Sequence, residues 1–183
     1  MKDSARKRLL EIARASVTAA VNRRPPPTVS ENDPELQAHC GCFVTLKNGA
    51  ELRGCLGHFF SDKPLYRLVN ETARASATED PRFLANRITP GELPRIGIEI
   101  SVLSPLERIA NPLDIELGVH GIYIRRGAAA GCFLPQVATE TGWSKEEFLG
   151  YCCSHKAGLS LNAWKDPDTV VEVFTAEVFG EAE

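Results

Sequence analysis

From residue 4 to residue 22 apolar side chains recur every three or four positions. Leu9, Ile12, Ala13, Val17, Ala20 and Val21 form one stripe, with Lys7, Glu11 and Arg14 elsewhere on the wheel. That period predicts an amphipathic helix. Arg24-Pro25-Pro26-Pro27 ends it, because proline cannot donate to the helical ladder, and the run to Pro34 reads as loop. Two apolar-rich runs, 40–47 and 50–57, then flank Asn48-Gly49, a pair suited to a two-residue type I′ hairpin turn. A tight turn there sets Cys42 opposite Cys55, Phe43 opposite Gly54 and Val44 opposite Arg53. The helical period returns over 64–79, through Leu65, Leu68, Val69, Thr72, Ala73 and Ser76, with Pro64 suited to the first turn. Residues 95–103 alternate: Ile96, Ile98, Ile100 and Val102 share one face, Glu99 and Ser101 the other, as in a strand with one buried side.

A second hairpin is expected from Val119–Arg126 and Gly131–Leu134 around Gly127-Ala128-Ala129-Ala130. Ser144-Lys145-Glu146-Glu147 fits a capping box, opening a helix to about Lys156 with Gly158 as its C-terminal cap. Asp166-Pro167-Asp168 reads as a turn, and 169–179 as a closing strand. The sum is an α+β fold with mixed or antiparallel sheets and about three main helices. A chain of this length suits a single domain over residues 1–183, as one body or as two lobes sharing a core.

Composition narrows the function. The 183 residues are 43% hydrophobic and 25% charged, the balance of an ordinary globular protein. The net charge of −3 does not favour a dedicated nucleic-acid binder, which needs positive charge against phosphates. No apolar run is long enough for a membrane helix. The basic N-terminal residues Lys2, Arg6, Lys7, Arg8 and Arg14 lack the apolar core of a secretory signal. Six cysteines without such a signal are expected as reduced thiols in a cytoplasmic protein.

Gly-rich phosphate loops, nucleophile elbows and paired-histidine zinc helices are absent. His39, Cys40, Cys42, Cys55 and His58 cluster in sequence, and the expected register brings three of these thiols onto one hairpin face. Cys40 and Cys42, however, sit about 6.5–7 Å apart along a strand, too far for one zinc without a bend. Packed apolar thiols are the plainer reading, and Cys152 and Cys153 are expected in a helical core stripe. No metal and no cofactor are expected.

Cys55 differs in its neighbours. Arg53, two residues away, would share its strand face, and a nearby guanidinium favours the reactive thiolate. Gly54 and Gly57 flank it, as where a backbone or ligand approaches closely. His58 lies within reach as a base if the strand ends there. Cys55, Arg53, His58 and Glu99 are therefore the catalytic candidates. Gly54, Gly57, Asp80, Arg82, His120, Arg125 and Arg126 are the binding candidates. The plainer alternative makes Arg53 a structural ion pair and His120 a satisfied histidine.

Phe43-Val44-Thr45-Leu46-Lys47 followed by Leu52-Arg53-Gly54-Cys55-Leu56-Gly57 resembles the AMMECR domain family. The resemblance continues through Asp80-Pro81-Arg82-Phe83, 98–105, 133–137, Gly142-Trp143, Lys156-Ala157-Gly158-Leu159, Ala163-Trp164 and 174–179, nearly the whole chain. Leu56 stands where the family's hexapeptide has isoleucine, and Phe59 where a small polar residue is common. His39, Cys40 and Cys42 are not part of the pattern. The resemblance implies a larger and a smaller lobe in one compact unit, and component A of the AmmeMemoRadiSam system, associated with a Memo-like protein and a radical SAM protein. It also implies a role in modifying a nucleobase, RNA or a small molecule at an Arg-Gly-Cys cleft. The alternatives are a non-catalytic binding or adaptor module for protein or nucleotide partners, and a redox or zinc-linked protein.

Overall fold

The expected N-terminal stripe forms α1, Asp3–Val21, which buries Leu9, Ile12, Ala13 and Val17. The computed structural model describes residues 1–181, and the chain divides into two compact units. The first comprises Met1–Leu103 and the segment from Glu177 onward; the second comprises Ser104–Ala176.

In the first unit the hairpin strands are β1, Cys42–Asn48, and β2, Glu51–His58. Helix α2, Leu65–Thr78, follows, then β3, Ile96–Leu103. The last described strand, β8, Ala176–Gly180, completes a four-stranded sheet in the order β2-β1-β3-β8. β1 pairs antiparallel with both β2 and β3. Val44 and Leu46 from β1 and Ile96, Ile98 and Ile100 from β3 point to the side on which α1 and α2 pack. There they meet Leu9, Ile12, Val17, Leu65, Leu68, Val69 and Ala73 in one dry core. Alternation then sends Thr45, Lys47 and Glu99 to the opposite face, where all three are half-buried.

The second unit carries β4, Glu107–Arg108; β5, Gly121–Arg126; β6, Ala129–Phe133; and β7, Val170–Phe174. Their order is β4-β7-β5-β6, with every adjacent pair antiparallel. Helices α3, Pro135–Thr141, and α4, Lys145–Tyr151, lie between β6 and β7 in sequence. Ile122, Ile124, Phe133, Phe148, Leu149, Trp164 and Val173 fill a second core, to which Cys152 and Cys153 contribute as expected. The capping box is present: Ser144 Oγ accepts from Glu147 N–H at 3.3 Å, and Glu147 returns a carboxylate to Ser144 N–H at 2.9 Å. The α-helical pattern gives way at Cys152 to a π turn running to Lys156.

The architecture is α+β, with four helices among the described residues. Three expectations are corrected. The single closing strand is two, broken at Thr175, with β7 in the second unit's sheet and β8 in the first's. The second hairpin turns on Gly127-Ala128 alone, and β5 starts at Gly121, not Val119. The first hairpin turns on Gly49-Ala50, because Asn48 pairs with Glu51. Gly49 has a φ of 59° and Ala50 does not leave the negative region, the requirement of a type II′ turn rather than I′.

Candidate functional site

That turn changes the register of every residue beyond it. Thr45 faces Cys55, Leu46 faces Gly54 and Cys42 faces His58, whereas Lys47 faces Leu52. Arg53 is the extra residue of a bulge between Leu46 and Lys47. The shared face expected for Arg53 and Cys55 is therefore corrected. Arg53 is only 4% exposed, and its guanidinium binds Glu92, with Nε donating to Oε1 at 3.2 Å and Nη2 to Oε2 at 3.4 Å. The three-thiol hairpin face is corrected too. Cys42 points into the core, where burial pushes its pKa up to about 12, and Cys55 lies on the other side.

The guanidinium that reaches Cys55 is Arg82. Asp80 caps the short 3-10 turn Pro81–Phe83, accepting from Arg82 N–H at 3.1 Å, and it is 2% exposed. Its Oδ2 accepts the Cys55 backbone N–H at 2.9 Å. Arg82 Nη2 binds that same Oδ2 at 2.7 Å and donates to the Cys55 carbonyl at 3.1 Å. Both backbone polar groups of Cys55 are thus taken from the outer edge of β2, leaving Thr45 and Cys55 as a pair without ladder bonds between them. Such pairs bring side chains closest, and Thr45 Oγ1 stands 3.2 Å from Cys55 Sγ. The hydrogen bonds of Asp80 and Arg82 are charge-assisted. Asp80's pKa falls to about 2, first through its hydrogen bond with Arg82, and that of Arg82 is raised by Asp80 with a further Coulombic pull from Cys55.

Gly54 explains why α2 can press so close. It opposes Leu46 on the helix side, and a methyl group there would overlap the Ser76 carbonyl oxygen. Ser76 Oγ accepts from Leu56 N–H at 3.0 Å and donates to the Val44 carbonyl at 2.9 Å, relaying between the two strands. Gly57, opposite Phe43, likewise leaves room for that ring.

Across the half-exposed face, the residues facing Thr45 are Cys55 on one side and Glu99 on the other. A row Cys55–Thr45–Glu99 therefore crosses three strands, about 10 Å from end to end at ordinary strand spacing. Lys47 Nζ lies 3.4 Å from Glu99 Oε2. Lys47 and Glu99 also line a groove of about 840 Å³ with Arg14, Arg95 and Glu181. The row and Lys47 together offer a thiol, a hydroxyl, a carboxylate and an ammonium on one surface.

The remaining candidates stand elsewhere. His58 is three residues from Cys55 on an unbroken strand, so it projects from the opposite face and is not the neighbouring base expected of it. His120, Arg125 and Arg126 belong to the second unit. His120 Nδ1 accepts from Glu116 N–H at 3.0 Å, Arg125 binds Glu172 at 3.1 Å, and Arg126 binds Asp166 at 2.7 Å. No cluster of three or more metal-ligating side chains occurs among the described residues, and none of their helices is long and apolar enough to cross a membrane. Burial raises the pKa of Cys40, Cys132, Cys152 and Cys153 as it does that of Cys42.

Thr45, Lys47, Ser76 and Glu92 carry roles that residue type alone did not mark. Ser76 left one trace, a small polar residue in the apolar stripe of a helix. The AMMECR1 family profile matches residues 10–179, spanning both units. The chain belongs to the AMMECR1 family. A protein of Methanopyrus kandleri is 47% identical over 151 residues, covering 78% of this chain and 72% of its own. One from Nanoarchaeum equitans is 38% identical over 180 residues, 94% of this chain and 98% of its own. The crystal structure of an uncharacterized protein from Pyrococcus horikoshii superposes with a TM-score of 0.85 at 36% identity, covering 99% of this chain and 93% of that one. In this AMMECR1-family chain, the segments 52–57 and 80–83 come together around the backbone of Cys55.

Proposed function

We propose that this AMMECR1-family protein is the thiol-bearing component of a system that modifies a nucleobase, RNA or a small molecule, with Cys55 meeting the substrate. One observation carries the reading: Asp80 and Arg82 hold both backbone groups of Cys55, while its side chain stays half-buried beside Thr45. Fixing a reactive group through its backbone places it without occupying its side chain, which is how positioned nucleophiles gain rate. Cys55 would serve as nucleophile or thiol donor, Arg82 as the partner of a substrate anion, and Glu99 as the proton carrier at the far end of the row. A Memo-like protein and a radical SAM protein are the partners proposed with it, on the strength of the family alone.

Alkylation with iodoacetamide at neutral pH, followed by mass spectrometry, tests this. Cys55 is expected to label at least roughly tenfold faster than Cys40 or Cys132, whose pKa values burial raises. Labelling no faster than those two overturns it. A second reading, a docking module, draws on Phe60, 60% exposed just beyond β2. A folded Cys55→Ser variant that keeps full cellular function would decide for that reading.

A further inference from the structure

The second unit contains a cavity that the Cys55 reading does not use. It has a volume of about 510 Å³, within the range of small-molecule sites. Trp164, Ile109, Pro112, Pro167 and Val171 supply apolar wall, and Arg108, Lys165 and Asp166 supply charge. The carboxylate is already neutralised, since Asp166 binds Arg126 at 2.7 Å. The cations are not. Arg108 is exposed on β4 and makes no ion pair among the described residues; Glu172, across the ladder from it, is held by Arg125. Lys165 also has no carboxylate partner among them, and its Nζ lies 4.9 Å from the centre of the Trp164 ring.

Water would leave both of these side chains without a counter-charge in the cavity. An anion answers both at once, and the indole and proline walls suit a flat apolar body attached to it.

We propose that this cavity binds a small organic anion, a phosphate or carboxylate joined to an aromatic body. Arg108 and Lys165 hold the charge, and Trp164 forms the wall against its ring. All of its lining residues belong to the second unit.

Trp143→Phe makes Trp164 the sole indole of the full chain, so its fluorescence reports on the cavity. In that background phenyl phosphate and benzoate are titrated beside benzyl alcohol and inorganic phosphate. Saturable quenching by at least one aromatic anion is expected, with benzyl alcohol and inorganic phosphate each at least tenfold weaker. Whichever aromatic anion binds more tightly distinguishes a phosphate from a carboxylate ligand. Arg108→Ala and Lys165→Ala, both at exposed positions, are expected to weaken binding at least tenfold. Absence of saturable quenching, equal binding of benzyl alcohol, or unchanged affinity in both charge variants overturns the proposal. Circular dichroism of each variant confirms that it is folded.

Discussion

Asp80 accepts from the Cys55 backbone and from Arg82 while its own side chain is almost wholly enclosed. The fold therefore favours its ionised form, holding its pKa at about 2 against an ordinary 3.8. A depressed carboxylate pKa adds stability that is complete above the unfolded value and is lost as pH falls through the folded one. The contribution should thus fade between about pH 4 and pH 2. The shift corresponds to roughly 2 kcal/mol, reduced toward about 1 kcal/mol by water around the half-open Arg82 side chain. Asp80→Asn is expected to lose that much in urea denaturation at pH 7 and to show a flatter acid limb than the parent. An unchanged limb would mean that the clamp adds nothing to the fold. At this scale the sequence marked Cys55, Asp80, Arg82 and Glu99 by residue type and neighbourhood. It could not assign Arg53, because a bulge of one residue decides which side a long side chain leaves the strand.

At the scale of elements, what was legible followed period. The stripes of α1 and α2 and the alternation of β3 are set by burial on one side, which any register preserves. The hairpin between them was misplaced by a single position. Asn48-Gly49 and Gly49-Ala50 are both acceptable two-residue turns, and only packing against α2 chooses between them. Gly54 is where that choice is enforced, because α2 presses its Ser76 carbonyl into the space a side chain would fill. Gly54→Ala is expected to cost about 3 kcal/mol or more through overpacking against backbone. Gly97→Ala, on β3 with its nearest neighbouring atom 4.0 Å away, should change stability by less than about 1 kcal/mol. Paired thermal melts of the two variants give the comparison; equal melting temperatures would refute the steric account. The break at Thr175 was illegible for a related reason. Residues 170–174 and 176–180 both look like strand, and which sheet each joins is decided by partners far away in sequence.

For the whole molecule, family membership was readable from blocks spread along the chain, and the fold class followed. Two lobes were implied by the family resemblance, but their boundaries were not visible, because no change of composition marks Leu103 or Ala176. The ends of the second unit are joined by hydrogen bonds from Ser104 N–H to the Thr175 carbonyl and from Thr175 N–H to Ser104 Oγ, both at 2.9 Å. With its own sheet and its own core, a fragment of residues 104–176 is expected to fold alone and melt cooperatively. A featureless circular dichroism spectrum for that fragment would contradict this.

The placement of β8 bears on how the molecule is made. During synthesis β3 leaves the ribosome before the second unit, and the strand that pairs with its outer edge emerges only after it. At ordinary elongation rates the intervening stretch of roughly 70 residues takes about 4–14 seconds. For that interval the nascent chain presents a bare apolar strand margin, the kind of template that recruits stray strands or a chaperone. Slow codons in the second half of the gene would lengthen that exposure.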